Sequence, residues 1–94
     1  MAGRLQDKVA FVSGGGSGIG AATALRFAAE GATVVICGRR REPLDEVVAR
    51  IRAAGGRAEA VVADVSEETQ YVTAIEDAAR RHGRLDVLVN NAMA

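Results

Sequence analysis

The sequence predicts an α/β fold built on a doubly wound parallel sheet, and three observations predict it. Short β-branched apolar runs alternate with longer segments of helical periodicity, as in β-α-β units. The first two runs are apolar on successive residues, the pattern of strands covered by helices on both faces. A glycine-rich turn then joins the first run directly to the helix that follows. A chain of 94 residues fits one small domain or part of one, so residues 1–94 are expected to form a single, partial unit of this kind.

Each element follows in order. The first strand is Val9-Ala10-Phe11-Val12, and the helix after it carries Ala21, Leu25 and Ala28 at helical spacing, with Gly31 behind Glu30 as its stop. The second strand is Thr33-Val34-Val35-Ile36-Cys37. Its helix places Leu44, Val47, Val48 and Ile51 on one face, with Pro43 suited to the first turn and Gly55-Gly56 ending it. The third strand runs from Ala58 to Ala63. In the third helix Ser66 is the expected N-cap, Glu67 and Glu68 suit the positive end of the dipole, Val72, Ile75 and Ala79 form the inward stripe, and Gly83 closes it. The fourth strand is Val87-Leu88-Val89. Right-handed crossovers then give β-α-β-α-β-α-β with strand order 3-2-1-4, a partial Rossmann-type sheet whose strands all end at one edge, where ligands bind.

Composition narrows the functions. Hydrophobic residues make up 49% and charged residues 26%, and no apolar run approaches the roughly 20 residues that cross a bilayer, so no membrane role is expected. The start of the sequence has no secretory pattern, which makes the cytoplasm the expected location. Twelve Lys and Arg balance twelve Asp and Glu, leaving no global basic field for nucleic acid. Cys37 reads as a buried strand residue. The sole histidine, His82, has no ligand-like neighbours and reads as a solvated helix-end residue rather than a metal ligand.

After the first strand comes Ser13-Gly14-Gly15-Gly16-Ser17-Gly18-Ile19-Gly20. A tight strand-to-helix turn favours residues that take positive φ, and a diphosphate reaches backbone amides only where no Cβ intervenes. The helix N-terminus adds roughly half a unit of positive charge. A glycine run alone can serve merely to turn the chain. Five glycines in seven residues, after a buried strand and before a small-residue helix, favour nucleotide binding. A P-loop does not fit, because Ala21-Ala22 stand where that motif needs Lys and Ser or Thr.

At the end of the second strand, NAD-binding sheets hold an acid for the adenosine ribose, whereas an arginine accommodates the 2′-phosphate of NADP. Here the chain reads Cys37-Gly38-Arg39-Arg40-Arg41, so NADP is the expected cofactor ahead of NAD. Arg39 is the expected phosphate contact. For Arg40 and Arg41 a solvated basic turn is an equal reading.

The motif Ser13-Gly14-x-x-x-Gly18-x-Gly20, with Ala63-Asp64-Val65 after the third strand and Val89-Asn90-Asn91-Ala92 after the fourth, resembles the short-chain dehydrogenase/reductase family over essentially the whole chain. The resemblance implies that Gly14, Ser17, Gly18, Ile19 and Gly20 line the diphosphate, with amides near Ser17 and Ile19 donating. It implies that Arg39 meets the 2′-phosphate, that Asp64 accepts from the adenine amino group with Val65 against the ring, and that Asn91 and Ala92 border the adenosine ribose. Asn90 is expected to tie the central strands. Ser13 replaces the family's usual threonine, and Met93 replaces the last glycine of its N-N-A-G motif.

The family's reaction moves a hydride between the nicotinamide and a carbonyl or alcohol carbon, with a tyrosine in Y-x-x-x-K as acid/base. In family order that segment follows N-N-A-G, and Tyr71, the only tyrosine here, has no lysine four residues on. Tyr71 is read as a helix-surface residue, and no catalytic residue is assigned. The expectation is therefore the cofactor half of such an enzyme, with a small carbonyl or alcohol substrate only when the other half is supplied. The alternative is a truncated, non-catalytic dinucleotide-binding module. The fourth strand should leave an exposed edge that invites self-association. A methyltransferase, which also uses a glycine loop after strand one, fits less well because no acid closes the second strand and because of Asn90-Asn91-Ala92.

Overall fold

A computed structural model describes residues 3–14, 16 and 18–91. Four strands and three helices alternate: β1 (Val9–Ser13), α1 (Gly18–Ala29), β2 (Thr33–Gly38), α2 (Arg41–Ala53), β3 (Arg57–Val62), α3 (Glu68–His82) and β4 (Val87–Asn90). They form one parallel sheet in the order β3-β2-β1-β4, as the crossover rule requires.

The pleat divides the core. Val12, Val34 and Ile36 point to one face, under the alanines of α1 and under Leu44, Val47, Val48 and Ile51 of α2. Phe11, Val35 and Cys37 point to the other, under Ala74 and Ala78 of α3. β1 is buried along its whole length, and β2 is buried except at its two ends, so their unbroken apolar runs follow from helices on both faces. β3 and β4 are the outer strands and are only partly covered; Leu88 of β4 is 52% exposed.

The third helix differs from the sequence expectation in two respects. Ser66 is not its N-cap. The Ser66 hydroxyl turns back to Asp64 Oδ1 at 2.6 Å, and Glu67, in an extended conformation, caps the helix by accepting from the Thr69 and Gln70 amides. The inward stripe is also rotated. Ala74 and Ala78 are buried, Tyr71 and Ile75 pack beside them, and Val72 is left 42% exposed. Phe11 already fills the space beneath α3, so small residues allow the closest approach, and the larger Val72 faces outward.

Tyr71 is consequently not a surface residue. Its ring lies 6.3 Å from that of Phe11 at 58°, and its hydroxyl is buried without a hydrogen-bond partner among the described residues. Nor is His82 simply solvated, since Nε2 pairs with Glu59 Oε1 across to β3. Cys37 does lie in the core, where burial pushes its thiol up to about 11 and keeps it neutral.

Candidate functional site

The carboxyl ends of all four strands open into one cleft of about 830 Å³. Its size lies within the range of small-molecule sites. β1 feeds it through the glycine bend. Gly14 has φ 69° and Gly18 has φ 57°, a backbone region that costs other residues about 1 kcal/mol or more. The Gly14 amide is already committed inward, donating to Cys37 O at 2.8 Å. At Gly16 the chain passes so close to α2 that a Cβ would stand 3.0 Å from Pro43 Cβ.

The start of α1 presents amides that the helix itself cannot pair. No acid stands in its first turn, whereas α2 has Glu42 and α3 has Glu68 there. The positive end of α1 is thus not neutralised by a side chain of its own first turn. Ile19, 76% exposed, and Gly20 border the cleft beside it.

β2 delivers Gly38, Arg39 and Arg40 to the opposite wall, and Pro43 and Leu44 of α2 close it from below. β3 delivers Asp64 and Val65. Hydrogen bonds from the Ser66 hydroxyl, then from the Ser66 amide, hold the Asp64 carboxyl below its ordinary 3.8, and the charge of Arg39 adds to the effect. Asp64 is therefore an anion at neutral pH, on the same cleft as Arg39.

β4 contributes Asn90 and Asn91. The buried Ser13 hydroxyl lies 3.2 Å from Val89 O and 3.1 Å from Asn90 Oδ1, which joins β1 to β4 at the rim. The Asn91 amide donates to Ser13 O, while its side-chain Nδ2 is buried with no partner among the described residues.

Of the residues singled out by sequence, Gly14, Ile19, Gly20, Arg39, Asp64, Val65 and Asn91 come together on this cleft. Gly18 instead lines a neighbouring groove between α1 and α2. Ser17 and Ala92, and also Met93, lie outside the described residues. Sequence reasoning overlooked Gly38, Pro43, Leu44 and Ser66 as wall residues. The short link from Gly38 to a helix beginning at Arg41 was the available signal, since it forces the first turn of α2 beneath the glycine bend.

Comparison with known proteins agrees with this layout. The family model for short chain dehydrogenase matches residues 8–94. The chain belongs to the short-chain dehydrogenase family. An A-factor type gamma-butyrolactone 1′-reductase of Streptomyces virginiae is 48% identical over 88 residues, which are 94% of this chain and 34% of that protein. A short-chain dehydrogenase from Burkholderia cenocepacia, solved in complex with NADP, superposes with a TM-score of 0.90 at 47% identity, covering 97% of this chain and 38% of the other. A metagenomic short-chain oxidoreductase, also solved with NADP, gives 0.91 at 42% identity, covering 96% and 41%. The chain spans about a third of the length of the curated relatives it matches. As a short-chain dehydrogenase sequence it contains the family's Rossmann-type nucleotide-binding layout. Among the described residues there is no helix long and apolar enough to cross a membrane, and no cluster of three or more His, Cys, Asp or Glu that could hold a metal.

Proposed function

We propose that this chain is the NADP(H)-binding part of an oxidoreductase that moves hydride between a nicotinamide and a carbonyl or alcohol carbon. The observation that carries the reading is the pairing of Arg39 with the acid-free N-terminus of α1 across one cleft. A 2′-phosphate and a diphosphate are the two anions such walls suit.

The residues fit the group. The amides of the α1 first turn, at Ile19 and Gly20 on the cleft and at Gly18 where the adjoining groove meets it, have no described side chain to accept from them and would donate to the diphosphate. The narrow passage at Gly16 admits no side chain without displacing Pro43, which keeps the bend open to a ligand. The Asn91 Nδ2, without a partner among the described residues, would find an acceptor in the adenosine ribose. Asp64 would accept from the adenine amino group, with Val65 against the ring, and Arg39 would take the 2′-phosphate through two parallel hydrogen bonds. Ser17 and Ala92 complete the proposed set. When bound, the dinucleotide supplies the hydride acceptor or donor; these residues bind and orient it. The NADP complexes of two structural neighbours support the choice of NADP. Tyr71 takes no part, because its hydroxyl is buried beneath α3.

The test is a fluorescence titration of the 94-residue chain with NADPH and with NADH. Arg39→Asp should weaken NADPH at least about tenfold, the size of a lost charge-assisted hydrogen bond, and change NADH little. Equal losses for the two ligands would remove Arg39 from phosphate recognition. Absence of NADPH binding altogether would remove the whole reading.

A further inference from the structure

The turn from β3 into α3 is braced more heavily than a helix start requires. Asp64 Oδ1 accepts twice from Ser66, at 2.6 Å from the hydroxyl and 3.0 Å from the amide. The Asp64 amide donates to Gln70 Oε1 at 2.8 Å. Glu67 in turn accepts from the Gln70 and Thr69 amides at 3.2 and 3.3 Å. Backbone and carboxylate of Asp64 are thus both held, although within the turn only Ala63 and Val65 join a core cluster and Ser66 and Glu67 are exposed.

This bracing has a chemical consequence. With Oδ1 occupied by two donors, Oδ2 is the oxygen left to accept, since it has no hydrogen bond among the described residues. Arg39 is the competitor for it, close enough for its charge to act on Asp64. A carboxylate free to rotate would turn toward that guanidinium, and both groups would be lost to a ligand. Ser66 opposes the rotation, and it lines the cleft together with Asp64.

We infer that Ser66 is a positioning residue, which, with Gln70 behind it, aims the open oxygen of Asp64 at the exocyclic amino group of adenine and keeps that carboxylate off Arg39. The inference rests on the proposed reading of the cleft as a dinucleotide site. Its recognition chemistry is specific, because an amino group donates to Oδ2 whereas a carbonyl at the same ring position repels it.

The test compares NADPH with its hypoxanthine analogue, in which that amino group is a carbonyl, by fluorescence titration of the 94-residue chain. The unaltered chain should prefer NADPH by about tenfold, as a hydrogen bond to a charged group is worth. Ser66→Thr and Ser66→Val have the same shape and differ only in the hydroxyl. The threonine variant should keep the preference and the valine variant should lose most of it, while the far-ultraviolet spectra of both match the parent. Retention of the full preference in the valine variant overturns the positioning role of the Ser66 hydroxyl, since the backbone amide that also donates to Asp64 is kept, and leaves the dinucleotide reading intact. Lack of preference in the unaltered chain overturns the contact between Asp64 and adenine, and the inference with it. Failure of the unaltered chain to bind either ligand overturns the dinucleotide reading itself.

Discussion

Two side chains of the third β-α unit show how residue chemistry and surroundings divide the work. Asp64 stands in the cleft, its charge maintained by the two Ser66 donors, and the family motif pointed to it directly. Tyr71 has a polar group that could face water, yet the fold turns it inward against Phe11. The buried hydroxyl, without a partner among the described residues, costs desolvation that the aromatic contact offsets. Tyr71→Phe should therefore leave stability unchanged or raise it by about 1 kcal/mol, measured by urea unfolding. A loss of more than that amount would mean that the hydroxyl has found an acceptor.

The helices illustrate what periodicity conveys at the scale of an element. The stripe of α2 was legible because Leu44, Val47, Val48 and Ile51 are all large, all apolar and all buried. In α3 the inward positions are held largely by alanines, while the exposed Val72 competes for the same reading, so the pattern pointed about one position away from the true face. Its cap was missed for a related reason. Serine is the commoner N-cap by type, but Ser66 is claimed by Asp64, and the next residue, Glu67, takes over the orphan amides. Glu67→Ala should accordingly cost about 1 kcal/mol of stability, and Ser66→Ala distinctly less, both followed by thermal unfolding. The reverse order would return the cap to Ser66.

Across the whole molecule, acid should loosen the attachments of the outer elements first. Glu59 of β3 accepts from Arg81 and His82 at the end of α3, and Asp86 accepts from Arg84 and from the Val9 amide where β4 meets β1. Burial alone would raise the Glu59 carboxyl, but the His82 and Arg81 hydrogen bonds outweigh it and bring the group below its ordinary 4.5. Asp86 is held below 3.8 by Arg84 first and by the Val9 amide second. A carboxyl whose folded value is depressed adds stability that is fully present above its unfolded value and is lost as pH falls through the folded one. The urea midpoint should therefore be lowest below the ordinary carboxyl value of 4.5, and Glu59→Gln should make it less sensitive to pH in that range. An unchanged pH profile in the Gln variant would show that the attachment of α3 to β3 has no such linkage.

The sequence by itself determined the alternation of strands and helices, the strand order, the glycine bend and the family, because these depend on local periodicity, crossover handedness and residue types at set spacings. Most of the proposed site was legible for the same reason, since Gly14, Arg39, Asp64 and Asn91 each follow closely on a strand end, Gly20 opens the helix behind the glycine bend, and a parallel sheet brings such ends to one edge. Only the tertiary structure decided which of those residues share the cleft, that Gly18 faces another groove, that the Gly14 amide is spent on Cys37, and that Ser66 serves Asp64 rather than the helix. Those outcomes depend on competition among donors and acceptors that meet only after the chain has folded, and no spacing in a sequence records which partner wins.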